Sequence, residues 1–188
     1  TLSFAAGVTS QTITLAIVDD AVFEASESFV INLSNAVNAA IGDGQGVGTI
    51  RDDGTGGGGT DDDTPSLSVS GAAVIEGTDN FAVFTVSLSN ASTSDVSFNL
   101  ALANSTALGG GVDYGTGGAG NLQVFVGGVW VDAASATIAA GQTSVQVRTP
   151  VSDDLLDESS ETFTLTAAVT AGTTSNPSAA GTGTIVDN

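Results

Sequence analysis

A segment near the start of the chain recurs near its end. Residues 7–29 align without a gap on residues 141–163, at a constant offset of 134 positions. After a slip of one residue, 48–52 also align on 183–187. The residues of the first copy that are identical in the second are Gly7, Thr9, Ser10, Asp19, Asp20, Glu24, Ser26, Glu27 and Phe29. Such a repeat indicates that one structural unit is used twice.

The repeat predicts the division of the chain. Residues 1–53 are interpreted as the C-terminal part of a first repeat, and residues 65–188 as a second, nearly complete one. Residues 54–64 between them are rich in Gly and Asp, which is typical of a flexible, polar linker. We expect Pro65 to open the second domain.

The second copy alternates apolar and polar residues with the period of β-strands. The positions predicted to face inwards are Leu67, Val69, Ala82, Phe84, Val86, Leu88, Val96, Phe98, Leu100, Leu102, Val145, Val147, Val151, Phe163, Leu165 and Ala167. Residues 181–186 are expected to close the domain, and no long segment has the helical period. Short strands at this spacing predict an all-β fold, an antiparallel immunoglobulin-like β-sandwich preceded by the C-terminal half of another.

The half repeat should contain about three strands, near residues 12–18, 29–34 and 47–51. Half of a sandwich leaves its inner face and one strand edge uncovered. We therefore expect residues 1–53 to need upstream strands, or pairing with another copy, for stability.

The charge composition excludes several functions. The chain has 21 acidic residues and two arginines, Arg51 and Arg148, without Lys, His or Cys. A net charge of −19 argues against binding nucleic acid or anionic membranes. Triads that use His, Cys–His pairs and typical zinc sites have no residues to form them. Apolar stretches are far too short for a spanning helix, and the lack of Met predicts that the chain begins inside a longer protein.

The acids are clustered in the repeated segment. Asp19-Asp20-x-x-x-Glu24-x-x-Glu27 recurs as Asp153-Asp154-x-x-x-Glu158-x-x-Glu161, between two predicted strands. Such a loop can direct several carboxylates towards one point, where like charges about 4 Å apart cost about 1 kcal/mol per pair even in water. Ca²⁺, a hard cation that takes oxygen ligands, would neutralise them. The alternatives are a solvated acidic surface and, from paired carboxylates alone, a glycosidase, although recurrence with the repeat argues against a unique active site.

Several motifs together resemble Calx-beta repeats, the module found in sodium/calcium exchangers and in large bacterial surface proteins. They are the acidic loop followed by Phe, Gly42-x-Gly44-x-Gly46-x-Gly48-Thr49-Ile50 with Asp52-Asp53 after it, Glu76-Gly77, and Gly111-Val112-Asp113-Tyr114. Residues 126–130 also resemble an insertion in repeats of giant bacterial adhesins, which are often exported by type I secretion in the manner of RTX proteins.

The resemblance implies a calcium cluster at one end of the domain. In the second repeat the implied ligands are Glu76, Asp113, Asp153, Asp154, Glu158, Glu161 and Asp187. In the partial repeat they are Asp19, Asp20, Glu24, Glu27, Asp52 and Asp53. Asp113 could instead cap a turn, and Asp157, which aligns with Phe23, is interpreted as a surface residue. Asp43, Asp79, Asp95 and Asp132 are interpreted as turn residues.

The leading functional hypothesis is a calcium-binding structural or extender repeat of an extracellular bacterial adhesin, not an enzyme. Its partners would be neighbouring repeats, with host glycans or proteins bound by other domains, and without nucleic acid or direct membrane insertion. The alternatives are a carbohydrate- or protein-binding adhesion domain and a calcium-sensing module of a transporter. Trp130 and Tyr114 could form a sugar-stacking platform, although alternation of Trp130 with Val129 and Val131 favours packing in the core or at an edge.

Overall fold

The computed structural model of the chain describes residues 1–52, 63–116 and 121–188. The secondary structure of these residues consists of strands, without a helix, and nothing in them could cross a membrane as a helix. The strands are β1 (Glu27–Asn32), β2 (Gln45–Ile50), β3 (Leu67–Val69), β4 (Ala72–Ile75), β5 (Phe81–Leu88), β6 (Val96–Asn104), β7 (Gln123–Val126), β8 (Val129–Asp132), β9 (Ser135–Ile138), β10 (Ser144–Pro150), β11 (Glu161–Ala171) and β12 (Ser178–Val186).

The described residues form two compact units. The first comprises Thr1–Asp20 and Ser26–Ile50, and the second comprises Ala21–Ala25 and Arg51–Asn188. The short segment Ala21–Ala25 belongs to the second unit because the main chain of Phe23 exchanges hydrogen bonds with Ala91 (2.8 Å) and Thr93 (2.9 Å). Of the predicted linker, only Asp63 and Thr64 lie among the described residues.

The second unit is a β-sandwich of two five-stranded sheets. One sheet has the order β3-β5-β10-β7-β8 and is antiparallel throughout. The other has the order β4-β12-β11-β6-β9. The all-β, immunoglobulin-like sandwich predicted from the alternating pattern is therefore confirmed.

The core lies between the sheets and is built from the predicted positions. Ala82, Phe84, Val86 and Leu88 of β5 are all buried, while the residues between them are more accessible. The same alternation buries Phe163, Leu165 and Ala167 of β11. Since successive side chains of a strand point to opposite faces, the two-residue period is sufficient to assign the inner face.

One strand pair departs from the antiparallel arrangement. β4 lies parallel to β12, with Ala72 opposite Gly183 and Ile75 opposite Val186. The pairing arises because the chain leaves the first sheet after β3 and joins the second as β4. At this crossing the carbonyl of Ser70 lies so close to Gly181 that a Cβ there would collide with it. The prediction of an antiparallel sandwich did not include this parallel pair of strands at the edge of the sheet.

The repeat is visible in the packing of both units. In β11 and β12 the ring of Phe163 covers Gly183, its cross-strand partner, and leaves no room for a Cβ. In β1 and β2 the ring of Phe29 covers Gly48 in the same way. The aligned sequences thus form the same local structure twice.

The first unit differs from its prediction in one strand. Residues 29–34 and 47–51 correspond to β1 and β2, whereas the strand expected at residues 12–18 is not formed. Its counterpart in the second unit is β10, which is held by pairing with β5 and β7. Residues 1–53 contain no counterpart of those two strands, so the segment lacks its hydrogen-bonding partners.

No described residue of the first unit is buried. Several large apolar side chains are at least two-fifths exposed, among them Phe4 (56%), Leu15 (50%) and Ile17 (55%). A pair of strands with an uncovered apolar face is at best marginally stable in water.

We therefore predict that isolated 1–53 will not unfold cooperatively as a monomer. Far-UV circular dichroism should show a shallow, featureless melt, whereas 65–188 should give a single sharp transition. A sharp melt of 1–53 whose midpoint is independent of protein concentration would contradict this expectation.

Candidate metal centre

Carboxylates from separate parts of the second unit converge at one end of the sandwich. Asp113 lies in the loop after β6, and Glu158 and Glu161 lie in and after the loop between β10 and β11. One carboxylate oxygen of each lies within 4.8 Å of the other two. Glu76, directly after β4, is buried at the same cluster, as its electrostatic contact with Glu158 and Glu161 shows.

Main-chain hydrogen bonds tie these segments together. The N–H of Asp154 donates to Oε1 of Glu76 (3.2 Å), and the N–H of Glu76 donates to the carbonyl of Val186 (2.9 Å). The N–H of Ser152 donates to the carbonyl of Asp113 (2.9 Å). The four segments that supply acids are therefore connected to one another directly by hydrogen bonds.

The C-terminal acid takes part through a contact that occurs twice in the chain. The N–H of Glu158 donates to Oδ2 of Asp187 at 2.8 Å. The N–H of Glu24, which aligns with Glu158, donates to Oδ2 of Asp52 at 2.7 Å. An identical bond at aligned positions indicates that the acid after the last strand has a fixed role in shaping the acidic loop.

An aromatic stack beneath the cluster holds two of its acids in place. The ring of Tyr114 stacks on that of Phe163, with centroids 4.1 Å apart and planes 14° apart. The hydroxyl of Tyr114 donates to Asn104 Oδ1 (2.7 Å). Asp113 precedes Tyr114 and Glu161 comes two residues before Phe163, so the stack fixes where both carboxylates emerge from the core.

Gly77 makes the close approach at this end possible. Its φ of 66° lies in the left-handed region, which favours glycine. A Cβ at Gly77 would collide with the amide of Asn188 and with Oδ1 of Asp153. The amide of Asn188 in turn donates to the carbonyl of Glu76 (3.0 Å). Glu76 therefore supplies an acidic side chain, and Gly77, which has no Cβ, allows Asp153 and Asn188 to approach the main chain next to it.

The cluster is electrostatically unfavourable when its acids are ionised. Burial raises the pKa of Glu76, and the carboxylates of Asp154, Asp187 and Glu158 raise it further, against a lowering by the N–H of Asp154. Desolvation also raises the pKa of Glu158, followed by the effect of Asp113. The pKa of Glu161 is raised by burial and then by its hydrogen bond with Asp113.

The donor set fits a hard divalent cation. Every convergent side chain offers carboxylate oxygen, and no arginine is among the groups that shift the pKa of Glu76, Glu158 or Glu161. Calcium binds ~6–8 oxygens at ~2.3–2.6 Å and accepts irregular loop geometry. Asp113, Glu158 and Glu161 are close enough to share one such ion, with Glu76, Asp154 and Asp187 next to them.

The structure brings most, but not all, of the calcium ligands implied by the sequence together. In the second repeat, six of the seven implied ligands are linked by proximity or electrostatic contact: Glu76, Asp113, Asp154, Glu158, Glu161 and Asp187. Asp153, the seventh, lies beside Gly77. Their ligation of an ion stays a prediction. Asp113 also accepts the N–H of Leu108 (2.6 Å), so the expected turn contact and the site role coexist.

The acids of the partial repeat are distributed over both units. Asp19, Asp20 and Glu27 lie in the first unit, while Glu24 and Asp52 form the bond described above in the second. Asp53 lies outside the described residues. A metal site in the partial repeat stays a prediction.

Two features of the site were missed at the level of sequence. Asn188 contacts Glu76 through its amide, and Asp154 accepts the N–H of Leu156 (2.7 Å) through its own carboxylate, which shapes the loop. The only available signal was their position within or directly after the acidic motifs. Asp43, Asp79 and Asp95 each accept a main-chain N–H in a loop, in agreement with their interpretation as turn residues.

The fold and the acidic end of the sandwich define a β-sandwich module of the calcium-binding type. The family model for the Calx-beta domain matches residues 1–54 and 60–131, more than half of the chain, so the chain belongs to the Calx-beta domain family. Calx-beta domains are calcium-binding modules and not enzymes, which confirms the expectation that the chain is not an enzyme.

The solved structures similar to this chain include calcium-binding domains of Calx. The apo-form Calx CBD1 domain is 15% identical, with a TM-score of 0.45, and the match covers 65% of this chain and 98% of that one. The calcium-binding domain CBD12 of CALX1.1 is 16% identical, with a TM-score of 0.46, over 65% of this chain and 44% of that one. The periplasmic chaperone SfaE is 6% identical, with a TM-score of 0.42, over 65% of this chain and 57% of that one. No curated protein matches the chain in sequence.

The raised pKa values predict how stability depends on pH without metal. Protonation of Glu76, Glu158 and Glu161 favours the folded state, because their folded pKa lies above the ordinary value of 4.5. This contribution is fully present below 4.5 and is lost as the pH rises through the raised values. In EDTA, we therefore expect the midpoint temperature of thermal unfolding to decrease as the pH is raised from about 4.5 to about 7.

With saturating calcium the trend should weaken or reverse, because the ligating carboxylates must be deprotonated. Calorimetric melts over this pH range provide the measurement. The double variant Glu158→Gln/Glu161→Gln serves as the control and should flatten the EDTA profile. A midpoint in EDTA that rises with pH would show that the cluster is not under electrostatic strain.

Proposed function

We propose that the chain is a calcium-binding structural repeat, an extender module of an extracellular bacterial adhesin. The single observation that carries the calcium part is the convergence of Asp113, Glu158 and Glu161, with Glu76 buried beside them. Such a cluster gains more from a divalent cation than from solvation, because burial weakens the screening of like charges.

The mechanism follows from linkage between binding and folding. A cation that binds only the folded state stabilises it by RT ln(1 + [L]/Kd), about 2.7 kcal/mol at a hundredfold excess over Kd. The four connected segments include both the end of β4 and the residues after β12, which form the parallel edge of the sandwich. Calcium at this end would therefore stiffen the domain where the chain leaves it.

The adhesin context is supported by the sequence. The acidic, Cys-free composition suits calcium-rich surroundings outside the cell, and residues 126–130 resemble an insertion in repeats of giant adhesins. In this proposal the chain lies at the bacterial cell surface, its partners are neighbouring repeats, and glycans or host proteins are bound by other domains. A calcium-sensing module of a transporter is the alternative, and the gene sequence flanking this chain separates the two.

Paired variants test the calcium site. For the native 188-residue chain, we expect calcium to raise the unfolding midpoint by roughly 10 °C over its value in EDTA at a hundredfold excess over Kd. Glu158→Gln/Glu161→Gln should lose most of this gain and be more stable than the native chain in EDTA, because like charges are removed. Calorimetric titration should show at least about a tenfold loss of affinity.

Asp157→Asn is the matched control for this experiment. Asp157 lies in the same loop and is exposed, and it belongs to neither the cluster nor its hydrogen bonds. It should retain the full calcium response. Equal midpoints in calcium and EDTA for the native chain, or an equal shift with magnesium, would exclude the proposal.

Stiffening of the acidic loop is testable by proteolysis. Leu155 and Leu156 are fully exposed and 65% exposed, respectively, in the loop between the Asp pair and Glu158. If calcium fixes both ends of this loop, cleavage after these leucines by chymotrypsin should slow several-fold on addition of calcium. Mass spectrometry of the fragments provides the measurement, and the Glu158→Gln/Glu161→Gln variant should be cut at the same rate with or without calcium. Calcium-independent cleavage of the native chain would argue against a stiffening role.

A further inference from the structure

An aromatic platform surrounds the only arginine of β10. It lies on the outer face of the sheet β3-β5-β10-β7-β8. The guanidinium carbon of Arg148 lies 3.7 Å from the ring centroid of Phe81 and 4.3 Å from that of Trp130. The rings of Phe125 and Trp130 are 5.1 Å apart with planes at 54°. We call these four residues the platform.

Strand alternation places the platform away from the core. Arg148 lies between the inward-facing Val147 and Thr149, both fully buried, and Phe125 follows the buried Val124. Trp130 is paired with Phe125 across β7 and β8 and therefore shares its face. Phe125 remains 38% exposed. The alternation around Trp130 favoured packing in the core or at an edge, and the structure places Trp130 on the edge strand β8. Tyr114, the other half of the suspected pair, is buried in the core.

Polar groups extend the platform at one side. Nε of Arg148 donates to Oε1 of Gln123 (2.8 Å), and Nε2 of Gln123 donates to Oδ1 of Asp132 (2.8 Å). This relay fixes all three side chains. Within the part of the chain that the structure describes, the Nη groups of Arg148 and Oδ2 of Asp132 make no hydrogen bond to protein. Donors and an acceptor thus remain available at the edge of the aromatic surface.

The combination of groups defines the ligand chemistry. A pyranose ring has an apolar face that packs on aromatic rings, and its hydroxyls both donate and accept hydrogen bonds. The platform offers the rings and the Nη donors, and Asp132 beside it offers the Oδ2 acceptor. Arg148 and Asp132 balance each other in charge, whereas the whole chain carries −19 and repels polyanions. A neutral sugar fits this surface better than an acidic one.

We propose that the platform binds a neutral oligosaccharide, with a pyranose ring packed on Trp130 and Phe125 and its hydroxyls bonded to Arg148 and Asp132. The site is separate from the acidic cluster. Arg148 lies within β10, whereas Asp153 lies in the loop that begins after this strand ends at Pro150. This inference goes beyond the calcium function and does not depend on it.

Trp130 provides the readout because it is the only tryptophan of the chain. The native 188-residue chain, kept in calcium, is titrated with neutral hexasaccharides of glucose, xylose and N-acetylglucosamine and with a hexauronate. We expect a saturable change in tryptophan emission with at least one neutral sugar and a weaker response to the hexauronate. Phe125→Ala keeps the reporter and should weaken binding by about tenfold, the upper range for an aromatic contact.

Val131→Ala is the matched control. Val131 lies on the same strand as Trp130, is 47% exposed, and pairs with the inward-facing Val124, so it faces the other side of the sheet. The Val131→Ala variant should bind the neutral hexasaccharide with the same affinity as the native chain. Calorimetric titration of the Trp130→Ala variant with the neutral sugars should show no binding. An unfolding midpoint of this variant close to that of the native chain would show that the fold is retained.

Three outcomes overturn the proposal. The first is the absence of a saturable response to any neutral sugar, which would leave the platform a structural cover of the sheet. The second is equal affinity of Phe125→Ala and the native chain. The third is tighter binding of the hexauronate than of every neutral hexasaccharide, which would contradict the charge argument.

Discussion

Repulsion between carboxylates at one end of the sandwich is the constraint on which the functional part of this structure depends. The fold brings Glu76, Asp113, Glu158 and Glu161 together, and burial and neighbouring carboxylates raise the pKa of three of them, Glu76, Glu158 and Glu161. Packing and hydrogen bonds elsewhere must offset this cost when the ion is absent. Binding of a cation removes the cost, so the same residues that weaken the apo domain make its stability respond to calcium.

The aromatic core explains how a domain can tolerate such a cluster. The stack of Tyr114 on Phe163, with Phe84 edge-on to Phe163 at 5.8 Å, forms a rigid base directly below the acids. Because Phe163 also covers Gly183, the last strand is fixed against the same ring. The positions of Asp113 and Glu161 thus follow from apolar burial, which does not depend on whether the carboxylates are charged.

Most of the fold and the identity of the acids were predictable from sequence because both depend on local patterns. The two-residue alternation assigned the inner face of β5, and the repeated Asp-Asp-x-x-x-Glu-x-x-Glu motif identified the acidic loop. The parallel pairing of β4 with β12 was not predictable, since alternation does not specify which strand lies beside which. The missing strand at residues 12–18 shows the same limit: an alternating segment forms a strand only where a partner strand is available.

The outer face of the sheet shows a second reason why sequence alone was insufficient. Trp130 alternates with two valines, and from the pattern either set could face the core. The deciding fact is long-range: β8 is an edge strand beyond β7, and both valines stay exposed. Trp130 is partly buried on the outer face, where it packs against Phe125 and Arg148. Arg148, whose guanidinium lies over the rings of both Phe81 and Trp130, gives the indole ring a defined position.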